Sequence, residues 1–166
     1  DQLELAKRRA SVSSGHLPVV FTPRGVASAF VAPLTLAFNG RIVLQGASPL
    51  ENKQGERIFD ERLGLKDDAT TAHCPRSRPC DDEGMPSQIT PLIEGGVVKS
   101  FLYDLQTAGL AGVQSTGSGD RGGGGLPAPS ATSLIFGSGD TSLVDIIRDL
   151  REGLVVEQLM GAEQTN

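Results

Sequence analysis

The feature that most restricts the fold of this 166-residue chain is a pair of adjacent glycines, Gly95 and Gly96, between two apolar runs. Glycine adopts positive φ without steric cost, so two consecutive glycines suit a tight turn between antiparallel strands. The pattern predicts a β-hairpin over residues 89–104. Because Pro91 cannot donate a ladder hydrogen bond, the first strand is predicted to be an edge strand or to be bulged there.

Helical patterns and short apolar runs alternate irregularly along the rest of the chain. Thr22 and Pro23 predict the N-cap and first residue of a helix, which is apolar almost all round and therefore expected to be buried. Pro33 is expected to kink or divide that helix. Further helices are predicted at residues 2–10, "DLQTAGLAG" and "SLVDIIRDL", the last capped by Asp140 or Thr141, and strands at "HLPVVF", "RLGLKDD", "SLIFG" and "GLVVEQLMG". One clear antiparallel hairpin in this mixture favours the α+β class over a regular βαβ alternation.

Composition limits the range of functions. Fifteen basic and twenty acidic residues give a net charge of −5, and the chain has no Trp and one Tyr. A mildly acidic chain without a basic and aromatic stripe is a poor candidate for binding nucleic acid, and no apolar stretch reaches the roughly 20 residues that span a bilayer. The chain begins inside a helical pattern and stops without a closing element. We therefore expect residues 1–166 to be a single-domain fragment, incomplete at both ends.

Three consecutive acids, Asp81, Asp82 and Glu83, stand just before the predicted hairpin. They are compatible with a metal site, a catalytic carboxylate pair or a solvated turn. Adjacent side chains point in different directions, which favours the turn.

The two cysteines, Cys74 and Cys80, lie with His73 in the segment "HCPRSRPC". Structural zinc sites usually use closer cysteine pairs and four ligands. Unpaired loop thiols are the favoured interpretation, and a disulfide or a metal site remains open.

Three other patterns fall short of known catalytic or nucleotide motifs. The stretch "STGSGDRGGGG" lacks the lysine of a phosphate-binding loop and is not followed by a helix, so it predicts a mobile loop. Asp140 lacks the glycine of an aspartic-protease motif, because Ser142 takes that position. His16 and His73 have no Gly-x-Ser-x-Gly elbow beside them, and an independent hydrolase using either histidine remains an alternative.

Four segments, taken in order, resemble the TldD/PmbA family, whose members are also called modulators of DNA gyrase or peptide-maturation metalloproteases. They are "DDEGMPSQITPLIEGGVVKSFLYD", "LAGVQSTGSG", "LPAPSATSLIF" and "GLVVEQLMG", and the match spans most of residues 16–161. The resemblance implies the family's C-terminal domain, an α+β fold with an antiparallel β-rich sheet or open barrel and a few short helices. It also implies a set of substrate-binding candidates: Asp82, Glu83, Gly84, Ser115, Thr116 and Gly117. Ser118 departs from the Asn or His usual after "sTG" in the family.

Catalytic members of that family carry His-Glu-x-x-x-His on a helix, which holds the metal and supplies a general base. Counting back from Gly55, the corresponding positions carry "VAPLTL", with Val31 and Leu36 in place of the histidines and Ala32 in place of the glutamate. The chain therefore resembles the non-catalytic PmbA/TldE-type subunit. The resemblance implies no catalytic residue, no metal ligand and no cofactor.

The implied function is assistance to peptide processing or proteolysis. The expected partners are a TldD-type subunit, in a homo- or hetero-oligomer, and an extended peptide that adds to an open edge of the residue 89–104 hairpin. A cytoplasmic location, with neither nucleic acid nor membrane as a partner, goes with this interpretation. The alternative is a stand-alone peptide- or protein-binding module that has no protease partner.

Overall fold

The computed structural model describes residues 4, 7, 9–12 and 14–159. Its helices are α1 (Pro23–Ala37), α2 (Gly40–Leu44), α3 (Leu105–Ala111) and α4 (Leu143–Asp149). Its strands are β1 (Val19–Phe21), β2 (Leu65–Asp68), β3 (Ile89–Glu94), β4 (Val97–Val98), β5 (Gly119–Asp120), β6 (Ala128–Pro129), β7 (Leu134–Phe136) and β8 (Leu154–Val156). The helix predicted over residues 2–10 lies largely outside the described residues, as do Met160 and Gly161 at the end of the last predicted strand.

The strands form one four-stranded sheet and two two-stranded ones. The larger sheet has the order β4-β3-β2-β7 and is antiparallel throughout, β5 pairs with β6 antiparallel, and β1 pairs with β8 in parallel. Antiparallel strands beside short helices confirm the α+β class, and the strands described here do not close into a barrel.

The glycine pair forms the predicted turn between β3 and β4. Gly95 and Gly96 both have positive φ, +55° and +76°. A Cβ atom on Gly96 would also lie 2.3 Å from the carbonyl oxygen of Phe59, so no larger residue fits that position without a shift of backbone. The edge-strand alternative for Pro91 is wrong, because β3 lies between β4 and β2. Instead the register shifts between Leu65 and Lys66 on β2, where Lys66 pairs with Pro91.

The hydrophobic core lies within residues 37–136, which we call the central lobe. The buried core side chains come from the sheet, the end of α1, α3 and the segments around them: Ala37, Phe38, Leu50, Leu65, Leu92, Ile93, Val98, Phe101, Leu102, Tyr103, Ala108 and Ala131. Phe38, Leu92 and Leu102 are completely inaccessible to solvent. Burial of these side chains is the main source of stability for the lobe.

The remaining elements, residues 19–36 and 137–159, form what we call the terminal lobe. It contains β1, most of α1, α4 and β8, and many of its large apolar side chains are exposed: Val19, Phe30, Val31, Leu36, Val144, Ile146, Ile147, Leu154, Val155 and Leu159. The prediction that α1 is buried is therefore wrong, because only Gly25 and Ala37 of this helix are buried. The described residues cover one side of α1 and leave the other side open.

Side-chain caps fix where the helices begin. Thr22 caps α1 by accepting a hydrogen bond from the amide of Gly25, as predicted, and Pro33 lies inside α1 without dividing it. The helix continues to Ala37 although Pro33 removes one amide donor from it. The predicted caps of α4 are wrong, because Ser142 accepts the hydrogen bond from the amide of Asp145. In the part of the chain described, no helix has the length and apolar content needed to cross a membrane.

Candidate functional site

The acidic residues before β3 form a tight turn, residues 81–85, which we call the acidic clasp. Asp81 is only 4% exposed. Its Oδ1 accepts hydrogen bonds from the amides of Glu83 and Met85, and its Oδ2 accepts one from the amide of Gly119, at 2.9 Å each. A carboxylate that accepts three amide hydrogen bonds is satisfied internally. Asp81 therefore closes the turn and joins it to a segment nearly forty residues further along the chain.

The other two acids make the same kind of connection. Asp82 accepts a 2.7 Å hydrogen bond from the amide of Arg121, and its own amide donates to the carbonyl of Gly119. Glu83 accepts a 2.7 Å hydrogen bond from the amide of Leu105, in the first turn of α3. All three carboxylates bind backbone amides, which favours a structural turn over a metal site or a catalytic pair.

The segment held by the clasp is the loop 115–121. The hydroxyls of Ser115 and Thr116 donate to the carbonyl of Tyr103, and Thr116 Oγ1 also accepts from the Tyr103 amide at 2.7 Å. Gly117 has φ +65°, and a Cβ atom there would lie 2.5 Å from the carbonyl oxygen of Pro86. The structure thus brings the two predicted groups, residues 82–84 and 115–117, into one place.

The prediction of a mobile glycine-rich loop fails for its first half. Gly119 and Asp120 pair with β6, Arg76 forms an ion pair with Asp120, and the clasp holds Gly119 and Arg121. The anchors come from residues 76–83, far away in sequence. Ser118, at the position where the resemblance leads to Asn or His, is fully buried and hydrogen-bonded to Thr116.

The positions that the resemblance assigns to the catalytic motif, residues 31–36, lie on α1. Val31 and Leu36 are partly exposed aliphatic side chains, and Leu36 borders an apolar cleft of about 920 Å³. Throughout the described residues, three or more His, Cys, Asp or Glu side chains do not come together in an arrangement that could hold a metal ion. Cys74 and Cys80 are free thiols, as the sequence favoured.

Among the described residues, the open edge of the sheet lies on β7, not on the predicted hairpin. The outer side of β4 is occupied by the segment that precedes β2: the Val98 amide donates to Glu56, and the Gly55 amide donates to Val98. The proposal of strand addition at the residue 89–104 hairpin is therefore wrong. The hydrogen bonds on either side of β7, from Asp68 to Ser133 and from Gly137 to Gly64, make Lys66 and Ile135 the hydrogen-bonded pair of the antiparallel ladder. The amide and carbonyl groups of Leu134 and Phe136 therefore point away from β2.

An apolar groove of about 330 Å³ runs beside this edge. Leu134 and Phe136 pack against the core, so Ile135 between them faces the opposite side of the sheet. There it lines the groove with Ile89 and Pro91, and the charged residues among the described part of the lining are Lys66 and Glu94. The groove and the free strand edge together match what an extended peptide with alternating apolar side chains requires.

Two adjacent carboxylates on β2 have opposite electrostatic environments. Burial raises the pKa of Asp67, against the hydrogen bonds that it accepts from the amides of Ser133 and Thr132. The hydrogen bond from the Thr70 side chain, followed by that from Lys66, lowers the pKa of Asp68. Both residues connect the sheet to neighbouring loops, so their role is structural.

Sequence reasoning missed two parts of the site. Asp81 was considered as one of three acids but was left out of the substrate-binding candidates, although it accepts more backbone hydrogen bonds than Asp82 or Glu83. The short spacing to Gly84 could have indicated an Asx-type turn built on Asp81. The free edge of β7 carries no local signal, because a strand's neighbours are set by distant parts of the chain.

Comparison with known proteins gives a consistent result. The family model described as the PmbA/TldA metallopeptidase C-terminal domain matches residues 14–166. An uncharacterized protein of Methanocaldococcus jannaschii is 34% identical over 166 residues, covering 99% of this chain and 39% of that protein. A metalloprotease TldD homolog of Buchnera aphidicola is 32% identical over 151 residues, covering 90% of this chain and 31% of that protein.

Solved structures agree with this result. TldE from Thermococcus kodakarensis superimposes with a TM-score of 0.78 at 34% identity, over 90% of this chain and 34% of that one. A Thermotoga maritima protein whose name connects it with modulation of DNA gyrase gives 0.79 at 27% identity, over 92% of this chain and 34% of that one. This chain spans 39% or less of the length of each of these four relatives.

Proposed function

This chain belongs to the PmbA/TldD metallopeptidase family, and we propose that it is a non-catalytic subunit of the PmbA/TldE kind that assists peptide processing by a TldD-type partner. The observation that supports this proposal is the set of aliphatic side chains on α1: Val31, Ala32 and Leu36 stand where the resemblance leads us to expect the catalytic motif. Aliphatic carbons cannot coordinate a metal or move a proton. The residues present therefore do not fit the metal that the family's catalytic members use.

The terminal lobe supports the presence of a partner subunit. Its exposed apolar side chains, on α1, α4 and β8, form a surface of the kind that protein partners cover. We propose that this surface contacts another family subunit in a homo- or hetero-oligomer. Two free thiols are compatible with a cytoplasmic location, where disulfides are rare, and that location is part of the proposal.

We propose that an extended peptide binds along β7. The outward backbone groups of Leu134 and Phe136 would pair with the peptide backbone, and the groove beside Ile135 would take its apolar side chains. In the clasp, Asp82 and Gly84 are exposed and Glu83 binds the first turn of α3. Ser115, Thr116 and Gly117 belong to the loop that the clasp holds. We propose that these six residues lie along the path by which the peptide passes to the partner.

Mixing the chain with a TldD-type protein and assaying peptide cleavage tests the assignment. The mixture should cleave the peptide faster than the TldD-type protein alone, and this chain alone should be inactive. Purified chain should contain no stoichiometric zinc, and a chelator should leave its melting temperature unchanged. Chelator-sensitive cleavage by this chain alone would show that it is catalytic.

The binding site is tested separately by fluorescence anisotropy with a labelled extended apolar peptide. Ile135→Asp places a charge in the groove and should weaken binding at least tenfold, whereas Val144→Asp in the terminal lobe should leave peptide binding unchanged. If both variants bind the peptide with equal affinity, the peptide does not bind along β7. The alternative of a stand-alone binding module predicts peptide binding without co-elution with a TldD-type protein in gel filtration.

A further inference from the structure

The groove beside β7 has a gap in its layer of side chains, formed by Gly64 and Gly137. The pairing of Lys66 with Ile135 belongs to a regular register, which two positions further along the ladder places Gly64 opposite Gly137. At that point the amide of Gly137 donates a 2.8 Å hydrogen bond to the carbonyl of Gly64. We call this pair of residues the glycine gap.

The glycine gap lies on the groove side of the sheet. Ile135 lines the groove, and residues two apart on a strand share a face, so Gly137 lies on that face as well. Apart from chain neighbours, the atoms nearest to a Cβ on Gly137 would be backbone atoms of Gly64, at 3.7–3.8 Å, and a Cβ on Gly64 would meet Ile93 at 3.9 Å. These are ordinary van der Waals distances, and neither glycine has a positive φ. Neither crowding nor backbone conformation therefore accounts for glycine at these two positions.

A peptide added along β7 would place a side chain over this gap. Hydrogen-bonded and non-hydrogen-bonded pairs alternate along an antiparallel ladder, and Leu134 and Phe136 carry the outward backbone groups. Peptide residues opposite Ile135 and Gly137 would therefore form the non-hydrogen-bonded pairs, in which side chains lie closest. One of them would lie directly beside Gly137, which is exposed.

We propose that the glycine gap selects peptides with an aromatic side chain, whose ring lies across Gly137 and Gly64. This inference rests on the peptide binding proposed above and adds the kind of residue that the site prefers. An aromatic ring on a neighbouring strand covers the backbone that a glycine leaves bare, and it buries a large apolar area. Ile135, in the adjacent row of the same face, offers an apolar contact for one edge of the ring.

The charged residues of the groove do not favour a charged side chain in the gap. Lys66 is paired with Asp68 at 3.0 Å, and Glu94 is paired with Lys99 at 3.4 Å. A charged peptide residue would lose water over the bare glycines without gaining an unpaired opposite charge, which is unfavourable.

Labelled extended peptides that differ at a single residue test the preference by fluorescence anisotropy. The phenylalanine peptide should bind about tenfold more tightly than the alanine peptide, with leucine between them and lysine no tighter than alanine. In NMR spectra, the ring current of the phenylalanine peptide should shift the Cα protons of Gly64 and Gly137 upfield, and the leucine peptide should not. Equal affinities for phenylalanine and alanine, tightest binding by lysine, or unshifted glycine protons would overturn the inference.

Gly137→Val fills the gap. It should lower the affinity of the phenylalanine peptide about tenfold, to that of the alanine peptide, and should change the alanine peptide less than about twofold. Gly137→Ala is the milder variant and should give a smaller loss of the same kind without lowering the melting temperature. Gly139→Val is the control, because a Cβ there would meet no atom within 4 Å, and it should bind every peptide as the unaltered chain does. If the variants at Gly137 weaken both peptides equally, the gap does not set the preference.

Failure of this inference and failure of the proposed peptide site give different results. Ile135→Asp should weaken the binding of every peptide if the site lies along β7. Binding that Ile135→Asp leaves unchanged would overturn the site, and the preference with it. Binding that Ile135→Asp weakens, but that does not distinguish phenylalanine from alanine, would overturn the preference alone.

Discussion

The core of the central lobe buries apolar side chains of the same types that the terminal lobe leaves exposed. In the central lobe Phe38, Leu92 and Leu102 are completely buried, and hydrogen bonds from the clasp connect the loops around them. In the terminal lobe Phe30 and Val144 are exposed. The comparison shows that the central lobe has a buried core, whereas the described residues of the terminal lobe bury no large apolar side chain.

The first prediction compares two phenylalanines of the same helix region. Phe38→Ala should lower the free energy of unfolding by about 3–5 kcal/mol, because the side chain is 0% exposed. Phe30 is 39% exposed and packs edge-to-face against Phe21, with ring centroids 4.9 Å apart, so Phe30→Ala should cost about 1 kcal/mol. Urea denaturation measures both. Equal losses would mean that the terminal lobe is packed as tightly as the central lobe.

The second prediction concerns the clasp that completes the central lobe. Asp81→Asn replaces one carboxylate oxygen with an NH₂ group, which would face the amide of Gly119 or the amides of the turn and could not accept their hydrogen bonds. The change should lower the free energy of unfolding by about 2 kcal/mol. Asp82→Asn is the matched change on a more exposed carboxylate and should cost less than about 1 kcal/mol. Thermal unfolding of the two variants separates them. A larger loss at Asp82 would show that the clasp depends on its exposed member.

The third prediction sharpens the description of the terminal lobe. A Cβ atom on Gly25 would lie 2.1 Å from the carbonyl oxygen of Val156, so Gly25→Ala should separate α1 from β8. The global cost should be about 1 kcal/mol, with faster amide hydrogen exchange confined to the terminal lobe. Gly15→Ala, which meets no atom within 4 Å, is the control. Faster exchange in the central lobe as well would show that the two lobes unfold together.

The smallest effect is a dependence on pH within the central lobe. The folded state raises the pKa of Asp67, so this group favours folding below its unfolded pKa, and that contribution is lost as pH rises through the folded value. Asp67→Asn should therefore gain stability relative to the unaltered chain between about pH 4 and pH 7. The pKa of Asp68 is lowered, so its contribution to stability is present at neutral pH and is lost as the pH falls. Asp68→Asn should therefore lose the most stability at neutral pH. Denaturation midpoints across this range test both signs.

Local sequence signals predicted the parts of the fold that depend on neighbouring residues. Thr22 and Pro23 marked the start of α1, and the adjacent glycines marked the β3–β4 turn, because caps and turns are set by residues within about four positions. The cap of α4 was misplaced by one or two residues, a usual error when Asp, Thr and Ser stand together.

Features that depend on distant contacts could not be predicted in the same way. The apolar pattern of α1 indicates burial, yet the described chain leaves Phe30 and Val31 exposed, because a pattern does not show which protein covers a surface. The glycine-rich stretch has no local anchor, and its partners Asp81 and Asp82 lie nearly forty residues earlier. The two groups of candidate site residues were identified by resemblance, and their proximity emerged only in the folded chain.

The β1–β8 pairing has a consequence for the order in which the chain folds. Thr22 and Val156, which meet at the end of this pairing, are 134 residues apart in sequence. The entropy lost on closing so long a loop must be overcome before the pairing contributes any stability, whereas the β3–β4 hairpin closes over two glycines. Contacts of long sequence separation form slowly. We therefore expect refolding to begin at the hairpin and to finish when the two distant strands meet.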